Sequence, residues 1–323
     1  MAFIRTVLGD IPPESLGACY AHEHVIAGPS YATRQFPDFL LDDADKASAE
    51  LAEFRAAGGH AMVDCTPCGA GRNVVKLAAV AEAAGVHIIC ATGLHLEKYY
   101  PPGHWSARLD AERLAALFTS EVAEGVDRHD YEAPAVERTR HRAGVIKAAG
   151  GLDRLNGRER RAFEAAALAH QATGAPVLTH TEQGTAALEQ IALLAALGVA
   201  PRHIVICHTD RRPDPAYHKE ILSSGVFLEY DSAFRWPPER GNPTRDLLLE
   251  MVASGFNTQL LLGMDAARRR YWAEYGGSPG LTYLLAVFAA ELRDRGLPQS
   301  DLDRIFVSNP AAAFAFAGNT SRT

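Results

Sequence analysis

The stretch Pro176-Val177-Leu178-Thr179-His180, the Ala- and Leu-rich run Thr185 to Leu197, and then Ile204-Val205-Ile206-Cys207-His208 together decide the fold. Two short apolar runs rich in β-branched residues flank one segment of helical period, so the unit reads strand, helix, strand. Each strand ends in a histidine, and the two histidines are 28 positions apart. A crossover helix between consecutive strands makes them parallel partners in one sheet.

The same unit recurs on both sides. Strands are expected over Gly17–His24, Gly59–Asp64, Val86–Gly93 and Ala143–Lys147 before this stretch, and over Val226–Tyr230 and Thr258–Asp265 after it. With Pro176–His180 and His203–His208 they number eight. Helices are expected over Ala47–Ala56, Asn73–Ala84, Ala111–Glu124, Gly157–Thr173, Thr185–Leu197, Pro215–Ser223, Thr244–Ser254 and Pro279–Arg295. Eight units of about 30 residues match the length at which a parallel sheet closes into a (β/α)8 TIM barrel. A doubly wound open sheet would ordinarily carry a Gly-rich phosphate turn after its first strand; here that strand ends in His22-Glu23-His24. One barrel domain is expected over 1–323. The widest gap, Gly93 to Lys147, holds the aromatic and proline-rich run Leu94 to Trp105, expected to be a substrate loop.

Composition bounds the function. The chain has 323 residues, 47% hydrophobic and 22% charged, ordinary for a soluble globular enzyme. A net charge of −7 gives no bulk attraction to nucleic acid or to an anionic membrane. No apolar run is long enough to span a bilayer, and Met1 to Thr6 lacks the regions of a signal peptide. The expectation is a cytoplasmic enzyme of a small-molecule substrate, with a homodimer left open. The odd count of five cysteines argues against a disulfide framework. Cys65 and Cys68 form a CxxC with no second copy, and read as packing thiols rather than zinc ligands.

The polar residues at the strand ends carry the chemistry. His22 and His24 sit at i and i+2 on the first strand, so both imidazoles can face one metal. His180, His208 and Asp265 each follow an apolar run directly. In a barrel those C-terminal ends converge on one face, where active sites are built. Imidazole and carboxylate suit zinc, manganese, iron or cobalt. Lys147 ends its own strand at the same depth. An ammonium beside two dications would be repelled. Either the neutral amine reacts with carbon dioxide to give a bridging carbamate, or the lysine recognises an anionic substrate; the local sequence leaves both open.

The set His22-x-His24, Lys147, His180, His208 and Asp265 resembles the ligand pattern of the amidohydrolase superfamily in its phosphotriesterase-like branch. Thr6-Val7-Leu8-Gly9-Asp10-Ile11, His180-Thr181-Glu182-Gln183-Gly184-Thr185 and Asn309-Pro310-Ala311 carry the likeness along nearly the whole chain. The resemblance implies two divalent ions, zinc first, with manganese, cobalt or iron as alternatives. It implies His22, His24 and Asp265 around the more buried ion, His180 and His208 around the more exposed one, and a carboxylated Lys147 bridging both. A metal-bridging hydroxide would attack, and Asp265 would accept its proton.

Cys207 to Asp214, Met264-Asp265-Ala266-Ala267-Arg268, Tyr271-Trp272 and Gly276 to Leu281 resemble the lactonases of phosphorylated sugars within that branch. Basic residues after strands seven and eight grip the phosphate in those relatives; the matching candidates here are Arg235 and Arg268. Two departures stand out. Arg235 runs into Trp236-Pro237-Pro238 where the relatives tend to carry a second basic residue. The loop Glu97 to Pro102 is more aromatic than a sugar phosphate needs, which makes Tyr99 and Tyr100 candidates for substrate contact. The expected reaction is opening of an anionic or phosphorylated sugar lactone. Hydrolysis of a phosphotriester, a phosphodiester or an amide by the same metals is the alternative.

Overall fold

The computed structural model describes residues 2–318; Met1 and residues 319–323 of the expected domain lie outside it. The chain starts with an antiparallel hairpin of β1 (Ile4–Thr6) and β2 (Gly9–Ile11), which the sequence reading did not resolve. Eight parallel strands follow: β3 (Cys19–Glu23), β4 (Ala61–Asp64), β5 (His87–Gly93), β6 (Val145–Gly150), β7 (Val177–Thr181), β8 (Ile204–Cys207), β9 (Phe227–Tyr230) and β10 (Leu260–Leu262). They neighbour one another in strict chain order from β3 to β10, with helices in the connections. This is the TIM barrel.

The helices begin where the sequence offers caps. Asp43, Asn73, Asp110, Asn156, Asp214 and Asn242 each accept a backbone N–H from the first turn of the helix that follows. Gly85 and Gly174 end two of these helices in the left-handed conformation, which glycine adopts without steric cost.

Period-two alternation splits the core. Tyr20, Met62, Ile88, Ile146, Ile204 and Leu228 pack in the larger cluster with the helices. Cys19, Ala21, Val63, Ile89, Val145, Leu178, Val205 and Leu261 fill a second cluster, the barrel lumen. The barrel closes between β3 and β10. There the Asp265 N–H donates to the His22 carbonyl at 2.9 Å. The buried Glu23 carboxylate accepts from the Met264 and Ala266 N–H groups at 2.7 and 3.1 Å. A Cβ at Gly263 would fall 2.8 Å from the His22 backbone, so this seam requires glycine.

Three expectations are corrected. The fourth strand, expected over Ala143–Lys147, runs over Val145–Gly150, so Lys147 lies within it rather than at its end. The eighth strand was read as Thr258–Asp265 but is paired only over Leu260–Leu262, because the backbone turns at Asp265 with φ +43°. The helix read as Pro279–Arg295 is a π-turn over Leu284–Phe288 running into Ala289–Asp294. Gly280, at φ +81°, and the Leu281 N–H bonded to Glu50 hold the earlier residues in turns. Among the described residues no helix is long and apolar enough to cross a membrane.

Candidate metal centre

Three lumen rows lead to sequence-read ligands. Lys147 follows Val145, His180 follows Leu178, and Asp265 follows Leu261 by way of Gly263. Residues two apart on a strand face the same way, so Lys147 and His180 cap the lumen they succeed, while Asp265 lies past the paired end of β10 and reaches the same cavity from a turn of positive φ. On β3 a register shift between Tyr20 and Glu23 marks the HxH segment. All six residues, His22, His24, Lys147, His180, His208 and Asp265, line one cavity of about 510 Å³ at the C-terminal ends of the strands.

The geometry leaves nitrogen atoms open in a common space. His24 Nδ1 bonds the Thr66 hydroxyl at 2.8 Å, and His24 Nε2 lies 3.4 Å from Asp265 Oδ1. His22 Nε2 lies 3.9 Å from the same oxygen. His208 Nδ1 bonds the Asp231 carboxylate, which leaves its Nε2. His180 Nε2 bonds Glu182 Oε2 at 3.2 Å, which leaves its Nδ1. The His208 ring centroid sits 4.5 Å from that of His22 and 4.6 Å from that of His180.

Both nitrogens of His22 are buried without a hydrogen-bond partner. Buried polar atoms are seldom left so, and a bound cation would satisfy one of them. Burial first, then His208 and Lys147, hold the His22 imidazole well below its usual range, in the neutral form that a metal needs. Burial brings His180 down to about 3. Neutral imidazoles with a carboxylate, their far nitrogens oriented by Thr66, Asp231 and Glu182, fit divalent metals.

Asp265 and Asp231 carry the negative charge. Burial pushes the Asp265 carboxyl up, but Arg235, His24, His208 and Arg211 outweigh it and hold it well below the carboxylate range. Its second oxygen, Oδ2, accepts from Arg211 at 2.8 Å and Arg235 at 3.3 Å. Asp231 Oδ1 accepts from the same two guanidiniums, at 3.2 and 3.0 Å. His22, His208, Glu229 and Asp231 also lie close enough to hold a metal. His22, His24 and Asp265 make the better site, because Asp231 is already shared among His208 and two arginines. His208 and Asp265 adopt φ +66° and +43°, left-handed values that side-chain-bearing residues rarely hold. Such strain concentrates at functional sites.

The other sequence candidates fall in different places. Arg235 lines the cavity, but its guanidinium is bound to Asp231, Asp265 and the carbonyls of Met264 and Asp265. Arg268 lines the cavity with its guanidinium over the Phe39 ring at 4.4 Å. Tyr99 lines it too. Tyr100 is buried behind the loop, its hydroxyl donating to the Cys68 carbonyl and accepting from the His95 N–H. Lys147 is buried and donates to the Cys65 carbonyl at 2.8 Å. All five cysteines are buried and free, and Cys68 donates its thiol to Glu121.

Sequence reading missed Asp231, Glu182, Arg211, Thr66 and His95. Asp231 directly follows the apolar run of β9, so the rule that found Asp265 could have found it. Arg211 and Thr66 carry no local signal, since only the folded barrel brings them to the mouth.

The fold and site define a TIM-barrel hydrolase with a histidine- and carboxylate-lined centre at its mouth. The phosphotriesterase family model matches residues 2–314, and the chain belongs to that family. A phospho-furanose lactonase of Mycoplasmopsis agalactiae is 33% identical, the alignment covering 97% of this chain and 92% of that protein. One of Mycoplasmopsis synoviae is 34% identical with the same coverage. The crystal structure of a lactonase from Listeria monocytogenes matches with a TM-score of 0.89 at 31% identity, over 98% of this chain and all of that one.

Proposed function

We propose that the protein opens an anionic lactone, of the phosphorylated-sugar kind that its relatives' names describe, at a centre of two divalent metals. The observation that carries this is the charge of the cavity wall. Arg211, Arg235, Arg240, Arg268 and Arg270 line it, while Asp265 is the only carboxylate that does so among the described residues. In a chain of net charge −7, that concentration of guanidinium selects an anion.

The arginines divide by their partners. Arg211 and Arg235 serve Asp231 and Asp265. Among the described residues Arg268 and Arg270 share only Asp38 as an acidic partner, at 3.9 and 3.5 Å. Arg268, with Arg270 and Arg240 on the same cavity wall, is therefore the better grip for a substrate phosphate or carboxylate, which the planar fork of arginine can take at two oxygens. Arg235 acts mainly by holding Asp265 with Oδ1 toward His22 and His24.

His22, His24 and Asp265 would hold one metal, His180 and His208 the other, and a carboxylated Lys147 both. Lys147 supports this in being buried with no carboxylate partner among the described residues; an isolated buried ammonium is costly. Bound metals at such a centre supply Lewis acidity and a water of lowered pKa. Zinc is the first choice for this donor set, with manganese, cobalt and iron as alternatives.

The test is a paired kinetic comparison on metal-supplemented protein: a phosphorylated furanose lactone, a neutral lactone of the same ring size, and a phosphotriester chromogen. The proposal expects kcat/KM to rank in that order. A higher value for the phosphotriester overturns it in favour of a phosphoester hydrolase.

A further inference from the structure

The cavity wall carries one histidine outside the six ligand positions, His95, two residues beyond the end of β5. Its backbone is tied from both sides. The Leu94 N–H donates to the Lys147 carbonyl at 3.0 Å. The His95 N–H donates to the Tyr100 hydroxyl at 2.9 Å, and that hydroxyl donates to the Cys68 carbonyl at 3.1 Å. The buried Tyr100 is thus the peg that fixes this turn. The His95 ring packs 4.3 Å from Tyr99 and 4.8 Å from His180, centroid to centroid. Its Nδ1 accepts the Leu96 N–H at 2.7 Å. A neutral ring that accepts at Nδ1 carries its proton on Nε2. That Nε2–H has no hydrogen-bond partner among the described residues. A donor held rigid, unpaired and half-buried beside a ligand histidine is placed for a substrate.

We propose that His95 is a further catalytic residue, whose Nε2–H donates a hydrogen bond to the ester oxygen that leaves when the ring opens. The proposal rests on the lactone reading above. In that reaction water adds its oxygen to the carbonyl carbon, the bond from that carbon to the ring oxygen breaks, and the ring oxygen departs with the bonding pair. It takes up the proton released by the water and becomes a hydroxyl. Two oxygens gain charge along the way. Metals held by the ligand cluster would supply the Lewis acidity for the carbonyl oxygen, and the leaving oxygen needs a donor of its own. A preorganised donor aimed at developing charge is worth most when that charge is largest. His95 keeps its own proton; it stabilises the departing alkoxide until the water's proton arrives.

The distinguishing test is a leaving-group series. His95→Phe keeps the aromatic volume and removes the donor; His95→Gln offers an amide N–H in its place. Both are assayed on an aliphatic lactone, which releases an alkoxide, and on a fused aryl lactone, which releases a phenolate needing little help. Metal content per chain is measured on every sample. His95→Phe is expected to lower kcat on the aliphatic lactone by on the order of a hundredfold and on the aryl lactone by less than about threefold, with unchanged metal content. His95→Gln is expected to recover part of the aliphatic rate. Equal losses on both lactones, or loss of metal in His95→Phe, would overturn the role. Wild-type protein inert on both lactones would overturn the lactone reading and this inference with it; wild-type activity with a flat series overturns His95 alone.

Discussion

Asp231→Asn isolates the pair of guanidiniums that frames the metal centre. The buried Asp231 carboxylate accepts from His208 Nδ1 through Oδ2, and from Arg211 and Arg235 through Oδ1 at 3.2 and 3.0 Å. Burial alone would raise its pKa, but His208 and Arg211 overcome that and hold it well below the carboxylate range. Asparagine keeps an acceptor for His208 but loses the charge that both arginines face. A hydrogen bond to a charged group contributes about 1.5–3 kcal/mol, and breaking a buried ion pair costs about 3–5 kcal/mol. A loss of about 3 kcal/mol in folding stability is therefore expected in urea unfolding of the metal-free protein. Metal binding should suffer separately. The two guanidiniums, left with Asp265 alone, put net positive charge beside the ligand nitrogens, and His208 loses the partner that raises its basicity. Loss of such an outer partner weakens metal affinity by about 10–100-fold. Competition against a fluorescent zinc chelator measures it. A zinc Kd within twofold of wild type in a folded Asp231→Asn protein would refute the reasoning.

Lys147→Ala is expected to lose most bound metal and activity, with partial return of both on adding bicarbonate and a short carboxylic acid; wild-type metal content in the variant would contradict the bridging role. Arg268→Ala is expected to raise KM for an anionic lactone at least tenfold, or about 1.4 kcal/mol, and to leave a neutral lactone nearly unchanged; equal effects on both would make Arg268 structural. Asp130→Asn tests a pH slope. Burial pushes the Asp130 carboxyl up to about 7, so between about pH 4 and 7 the folded state binds more protons there than the unfolded state does, and its contribution to stability falls as pH rises. The difference in urea midpoint, variant minus wild type, should therefore grow in the variant's favour from pH 5 to pH 7, whatever constant offset comes from its lost contact with Arg72; a flat difference would place the Asp130 pKa outside that window.

How much was legible follows from where each signal lives. The barrel was readable because strand–helix alternation is local, and all eight strands overlap the apolar runs that mark them. Of the six candidate ligands, Lys147 and His180 continue lumen rows whose period of two is written in the chain, whereas His208 directly follows the lumen residue Cys207 and was marked by its type and its place after an apolar run. The eighth strand read too long because Gly263, Met264 and Asp265 continue its apolar pattern, while the backbone leaves the sheet to close against His22 and Glu23. The work of Glu23 at the seam depends on Met264 and Ala266, some 240 positions away, which no local pattern reveals. Arg235 looked like an anion grip from its place after the seventh strand. Its commitment to Asp231 and Asp265 is a tertiary contact that no local pattern encodes. Tyr99 and Tyr100 are adjacent, yet one lines the cavity and the other pegs the loop, a split decided by which way the short turn Glu97–Tyr99 points them.

The account rests on a metal centre at the mouth of the barrel that performs the hydrolysis. Its most direct test is the metal content of freshly purified protein, followed on one sample through stepwise chelation alongside turnover of an anionic lactone. The account predicts roughly two divalent ions per chain at the start, activity that falls in step with their removal, and recovery of both on adding zinc, manganese or cobalt. Full turnover from protein holding less than about a tenth of an ion per chain would contradict it.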